Sequence, residues 1–93
     1  MSKIRHHTHR RDDNHDAVVK ECERAGLLVE DIHNGGIADI LVARSGLLYL
    51  IEIKAPGKRK NLTPLQMVKH IKWNGYIYVV ESAEEIFKIV GLK

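Results

Sequence analysis

Two carboxylates and one ammonium group sit in apolar surroundings in this chain. Asp39 lies within Ile37-Ala38-Asp39-Ile40-Leu41-Val42, and Glu52 and Lys54 lie within Leu50-Ile51-Glu52-Ile53-Lys54. Both runs, Ile37 to Ala43 and Leu47 to Lys54, read as β-strands, and Arg44, Ser45 and Gly46 between them have the composition of a hairpin turn. If Ser45 and Gly46 form the loop, Asp39 falls opposite Glu52, and the strand period of two brings Lys54 to the same face. A loop one residue longer would turn Asp39 to the other face relative to Glu52. Adjacent carboxylates bind Mg²⁺ or Mn²⁺ through hard oxygen ligands, and such a metal generates hydroxide and neutralises charge on a phosphorane. A neighbouring lysine orients or helps deprotonate the attacking water and offsets phosphate charge. The alternative is a structural cross-strand salt bridge. Burying these charges in apolar runs is costly without a functional return, which favours the catalytic reading.

The elements that must hold these residues follow from periodicity and caps. Asn14, Val18, Cys22 and Ala25 recur at helical spacing, with Asp13 or Asn14 as N-cap and Gly26 at the stop. Leu27 to Ile32 reads as a strand closed by Gly35 and Gly36. Thr63-Pro64-Leu65-Gln66 combines an N-cap, a first-turn proline and a capping-box glutamine, starting a helix that runs to about Trp73 before Asn74-Gly75. Tyr76 to Val80 reads as a strand and Ala83 to Val90 as a helix with Ile86, Phe87 and Val90 inward. The expected order is α-β-β-β-α-β-α, an α/β fold with a central mixed sheet flanked by helices. Apolar residues on both faces of the hairpin require cover on both sides or a partner.

At 93 residues the chain suits one domain, and its 44% hydrophobic and 29% charged residues are ordinary for a globular protein. No apolar run approaches the ~20 residues of a membrane span. The basic N-terminus lacks the apolar stretch of a secretory signal and Cys22 has no second cysteine to pair with, so a reducing, cytoplasmic setting is expected. Residues 1–11 hold Lys3, Arg5, Arg10 and Arg11 without an acid. Taking these four from the 15 Lys and Arg leaves 11 bases against 12 acids. This reads as a basic flexible arm, 1–11, ahead of a domain over 12–93, and Arg10 and Arg11 with Lys58, Arg59 and Lys60 are candidates for nucleic-acid phosphates.

The charged residues resemble the PD-(D/E)XK nuclease motif, with Ala38-Asp39 in place of proline-aspartate and Glu52-Ile53-Lys54 as the (D/E)XK triplet. More narrowly, three blocks resemble the virus-type replication-repair nuclease (VRR-NUC) domain. They are Gly35-Gly36-Ile37-Ala38-Asp39-Ile40-Leu41-Val42, Ile51-Glu52-Ile53-Lys54-Ala55-Pro56-Gly57 and Leu62-Thr63-Pro64-Leu65-Gln66, and the likeness spans roughly residues 12 to 90. The resemblance implies a restriction-endonuclease-like core and Mg²⁺- or Mn²⁺-dependent endonuclease action on DNA, often branched (a four-way junction or flap), by a homodimer. It implies metal ligation by Asp39, Glu52 and the main-chain carbonyl of Ile53, catalysis supported by Lys54 and Gln66, and a helix-one residue near the metal. Asn14 is the best positional match for that residue. It departs from the usual acid, so Asp13 and Asp16 stay candidates, and helix capping is an equal explanation for Asn14. Gln66 likewise has a structural reading as a capping-box residue.

The remaining features carry less. His6, His7 and His9 lack a closing ligand set. His15, His33 and His70 show no evident partners, with His33 a candidate for the site entrance or DNA. Lys69, Lys72 and Trp73 extend the basic surface, Trp73 more as packing or dimer interface than as a base-stacking platform. Cys22 reads as a core thiol. Besides the nuclease, a catalytically silent nucleic-acid-binding module and a subunit of a phage or repair complex are compatible with these residues.

Overall fold

A computed structural model describes residues 13–32 and 37–92. The basic arm with Arg10 and Arg11, and His33, Gly35 and Gly36, lie outside the described residues. The elements are α1 (His15–Arg24), β1 (Leu28–Asp31), β2 (Ile40–Arg44), β3 (Leu47–Ile53), α2 (Pro64–Lys72), β4 (Ile77–Val80) and α3 (Ala83–Val90). They occur in the expected order. One four-stranded sheet runs β1-β2-β3-β4, antiparallel across the first two pairs and parallel between β3 and β4. The parallel pair requires a crossover, and α2 supplies it.

The hairpin turn sets the register of the central strands. Ser45 (φ 54°) and Gly46 (φ 79°) both occupy the left-handed region, as a two-residue type I′ turn requires. Arg44 therefore pairs with Leu47, and the ladder continues to Ile40 opposite Ile51. Alternation then divides the sheet. Ile40, Val42, Ile51, Ile53 and Val80 face one side, where Val18 and Cys22 of α1 and Ala83, Ile86 and Val90 of α3 close the core. Fully burying an isoleucine such as Ile51 contributes roughly 1.5–3 kcal/mol. Burial also holds the Cys22 thiol up at about 11, so it behaves as the core thiol the helical stripe implies.

The caps follow the sequence with one exception. Thr63 and Gln66 form a reciprocal capping box at α2, Ser82 accepts from the Glu85 N–H at α3, and Gly91 (φ 78°) ends α3 in the left-handed conformation. At α1, Asn14 stands at the N-cap position but makes no side-chain cap hydrogen bond. Its amide has another task, described below. Ala25, assigned to the inner stripe, is exposed, and His15 is the buried residue instead, its Nε2 2.9 Å from Asp31 Oδ1. That contact joins α1 to the end of β1 and corrects the expectation that His15 has no partner. The second sheet face, which carries Leu41, Leu50, Glu52 and Val79, lies on the side of α2, and no residue of α2 is buried. Among the described residues, no helix is long and apolar enough to cross a membrane.

Candidate active site

Asp39 lies where β2 and β3 part, next to the strand end that carries Glu52 and Lys54. β2 begins only at Ile40, one residue after the aspartate, so Asp39 leaves the ladder: its N–H donates to the Ile51 carbonyl at 3.0 Å. Its carboxylate Oδ2 in turn accepts from the Ile53 N–H at 2.7 Å. A side chain thus replaces the main-chain partner that β2 would have offered Ile53. In extended backbone the N–H and C=O of one residue point to the same side, so the Ile53 carbonyl is also directed toward Asp39.

Glu52 and Lys54 share the face opposite the α1–α3 core, and both are buried, at 4% and 8% exposure. Lys54 Nζ lies 3.8 Å from Glu52 Oε2, a loose ion pair, and Gln66 tightens it. The Gln66 carbonyl oxygen accepts from Lys54 Nζ at 3.1 Å while its Nε2 donates to Glu52 Oε2 at 2.9 Å. The same carbonyl oxygen accepts from the Thr63 N–H at 2.9 Å. The capping and site readings of Gln66 are therefore both present in one amide. Two buried opposite charges are tolerable only when hydrogen bonds satisfy their remaining valences, and Gln66 provides them.

Asn14 bridges the ends of two strands. Its Nδ2 donates to the carbonyls of Lys54 (3.1 Å) and Glu81 (2.9 Å), and its Oδ1 is buried without a hydrogen-bond partner among the described residues. Asp13 and Asp16, the other candidates from helix one, are exposed.

The sequence reading missed His70. It lies one turn beyond Gln66 on α2, and this i, i+4 spacing was the available signal. Burial first, then the Lys54 ammonium, push its imidazole below the usual value, and Asp39 acts in the opposite direction, so the ring stands in the field of the cluster. Its Nε2 is buried without a hydrogen-bond partner among the described residues. His70 also lines an open cavity of about 440 Å³ with Leu62, Met67, Ile71 and Asn74.

The basic loop after β3 divides unexpectedly. Lys58 and Lys60 are exposed, but Arg59 is held by Glu81 and Glu85 and donates to the Val79 carbonyl. The guanidinium is thereby paired within the chain, although its side chain stays 43% exposed. Its hydrogen bond with Glu85 raises the Arg59 pKa. For Glu85, partial burial acts upward, but the Glu81 N–H, Arg59 and the Ser82 N–H outweigh it and hold the carboxyl below its usual range. Gly57 N–H adds a 3.2 Å bond to Glu81 Oε1, tying the loop to the end of β4.

The oxygen atoms that a hard cation could use are few. Asp39 and Glu52 offer carboxylates, and Asn14 Oδ1 is a buried acceptor without a donor among the described residues, which a cation would satisfy. No group of three or more His, Cys, Asp or Glu is arranged to hold a metal among the described residues, so two carboxylates with neutral oxygens and water are the available set. That composition fits Mg²⁺, which keeps several waters and takes one or two carboxylates. Comparison with protein-family models, with curated proteins and with solved structures finds no match.

Proposed function

We propose that the chain is a divalent-metal-dependent endonuclease that hydrolyses DNA phosphodiester bonds on a PD-(D/E)XK core, as its resemblance to VRR-NUC domains implies. The observation that carries this reading is the buried Glu52–Lys54 pair, joined through Gln66, beside Asp39 at the point where β2 and β3 separate. Charges buried at a break in a sheet are expensive as scaffold and useful as chemistry.

Asp39 and Glu52 would hold Mg²⁺ or Mn²⁺ with the Ile53 carbonyl and Asn14 Oδ1. Such an ion, when bound, makes water a better nucleophile and stabilises charge on the phosphorane. Lys54, fixed by Gln66, orients the water and offsets phosphate charge. The water oxygen bonds to phosphorus, one ester P–O bond breaks, and the departing deoxyribose oxygen leaves as an alcohol carrying one of the water's protons. Lys58 and Lys60, with Arg10 and Arg11 of the arm, hold backbone phosphates. A branched substrate, a four-way junction or flap, and a homodimeric enzyme belong to the same reading.

A second reading has one specific observation in its favour: Glu52 Oε2 is already engaged by Lys54 and Gln66, as in a structural ion pair. The chain would then be a catalytically silent nucleic-acid-binding module or a subunit of a phage or repair complex. Cleavage of labelled duplex, flap and four-way-junction DNA with Mg²⁺, Mn²⁺ or EDTA separates the readings. The nuclease predicts cutting that EDTA abolishes and that Asp39→Ala and Lys54→Ala each reduce by about 10²–10⁴-fold. Binding without cutting in any metal would replace it with the silent module. Neither binding nor cutting would leave the subunit.

A further inference from the structure

Of the three consecutive bases after β3, Lys58 and Lys60 are exposed, whereas Arg59 is tied to β4 and α3. Its Nη1 donates to the Val79 carbonyl, its Nη2 donates to Glu85 Oε2, and its Nε lies 3.4 Å from Glu81 Oε2. β4 is an edge strand whose Val80 carbonyl accepts from the Lys54 N–H on the β3 side at 2.8 Å. Carbonyls alternate in direction along a strand, so Val79 turns its own toward the open edge. Arg59 therefore carries the loop past the carboxyl end of β4, and the Gly57 N–H, 3.2 Å from Glu81 Oε1, adds a second attachment.

An exposed ion pair taken singly stabilises little, but a guanidinium shared by two carboxylates and a carbonyl forms a network. What it fixes is the 55–62 loop, which begins directly after Lys54 and ends at Thr63, whose N–H is held by Gln66. Within the loop the Lys58 N–H donates to the Ala55 carbonyl and the Asn61 N–H to the Lys58 carbonyl, both at 2.9 Å. Lys58 and Lys60 thus stand on a backbone whose path is set before any ligand arrives. Such preorganisation lowers the ordering cost of binding.

We propose that Arg59, Glu81 and Glu85 are positioning residues for DNA binding, which hold the 55–62 loop so that Lys58 and Lys60 meet backbone phosphates in a fixed arrangement. This inference rests on the nuclease reading for its ligand. Two acidic residues then favour the binding of a polyanion, the reverse of what their charge alone would do.

The sign of that effect is the test. Glu85 Oε1 accepts from the Glu81 N–H and Glu81 Oε1 from the Gly57 N–H. The double substitution Glu81→Gln, Glu85→Gln keeps one oxygen for each of these donors and sets an amide NH₂ against Arg59, while removing two negative charges. Titrating the full chain into labelled duplex and four-way-junction DNA in Ca²⁺, this variant is expected to bind about five- to tenfold more weakly than wild type. Arg59→Ala leaves both carboxylates in place and guards against a glutamine variant that fails to fold. It is expected to weaken binding and to shrink the cost of Lys58→Ala by about twofold or more, as coupled residues do. Unchanged or tighter binding by the glutamine variant, or a Lys58→Ala cost equal in the wild-type and Arg59→Ala backgrounds, would overturn the positioning role while leaving the nuclease reading intact. A wild type that binds DNA without cutting it would overturn the nuclease reading alone, and one that binds no DNA would overturn both.

Discussion

The Gln66 amide is shared between helix capping and the charged cluster, so substitutions there act on stability and on the site in separable ways. Alanine removes the oxygen that serves Thr63 and Lys54 and the nitrogen that serves Glu52. Losing the reciprocal half of a capping box and the cluster bonds together should cost about 1–2 kcal/mol. Glutamate keeps an acceptor for Thr63 and Lys54 but sets a second carboxylate against Glu52 in a buried position. Gln66→Glu is therefore expected to retain the far-ultraviolet spectrum of α2 while losing cleavage as completely as Gln66→Ala. Urea titration and the DNA assay, run on both variants, check this. If Gln66→Glu cuts normally, the Nε2 bond to Glu52 has no part in the site.

The elements depend most on one turn. Ser45 and Gly46 both adopt positive φ, and their two-residue length decides which face each residue of β2 and β3 takes. Nothing lies within 4 Å of a Cβ built at Gly46, so Gly46→Ala tests the backbone alone. It is expected to lower stability by about 1 kcal/mol, whereas Ser45→Asn, better suited to the left-handed region, should raise it by a few tenths. Chemical denaturation measures both. This turn also explains what could be read from the chain. The period of two and the Ser-Gly dipeptide put Glu52 and Lys54 on one face, and the Thr-Pro-Leu-Gln signature started α2 where it begins. The start of β2 could not be read, because Ile37-Ala38-Asp39 is as apolar as the strand it precedes. The ladder gives way at Asp39, whose carboxylate takes the Ile53 N–H. His70 was hidden because the Lys54 and Asp39 charges that act on its ring lie far from it in sequence. The ion pairs of Arg59 could not be read for a related reason, since Glu81 and Glu85 reach it from beyond β4. The salt dependence of DNA binding tests whether those pairs hold Arg59 back from phosphate. Lys58→Ala and Lys60→Ala should each weaken binding and reduce the slope of log K against log salt by about 1. Arg59→Ala should leave the slope nearly unchanged, and a drop equal to that of the lysines would show that the guanidinium leaves its carboxylates for phosphate.

At the scale of the whole molecule, α2 is turned opposite to an ordinary surface helix. Its half-buried positions are Gln66, Lys69 and His70, with Trp73 just beyond its end, whereas Leu65, Met67, Val68 and Ile71 are exposed, Ile71 at 75%. A helix on a globular domain normally buries its apolar stripe. Here the inner side is occupied by the groups that reach Glu52 and Lys54, which leaves the apolar side outward. Leu28 and Leu48 are also exposed, at 73% and 69%. An apolar helix face left exposed in this way marks an interaction face, and a second copy of the chain is the occupant consistent with the homodimer proposed above. Sedimentation equilibrium at tens of micromolar is expected to give twice the 10.6 kDa chain mass. The double substitution Val68→Glu, Ile71→Glu should give a folded monomer, because both side chains are exposed within one chain and their replacement removes no intrachain core. A folded dimer should also melt at a temperature that rises with protein concentration, and the monomeric variant should not. A wild-type monomer, or a variant that remains dimeric, would exclude the α2 face as the contact between copies. Since Gln66 and His70 project from the opposite side of the same helix, loss of the dimer with full cleavage would show that α2 holds its site residues without a partner. Loss of both would show that the second copy seats α2 on the sheet.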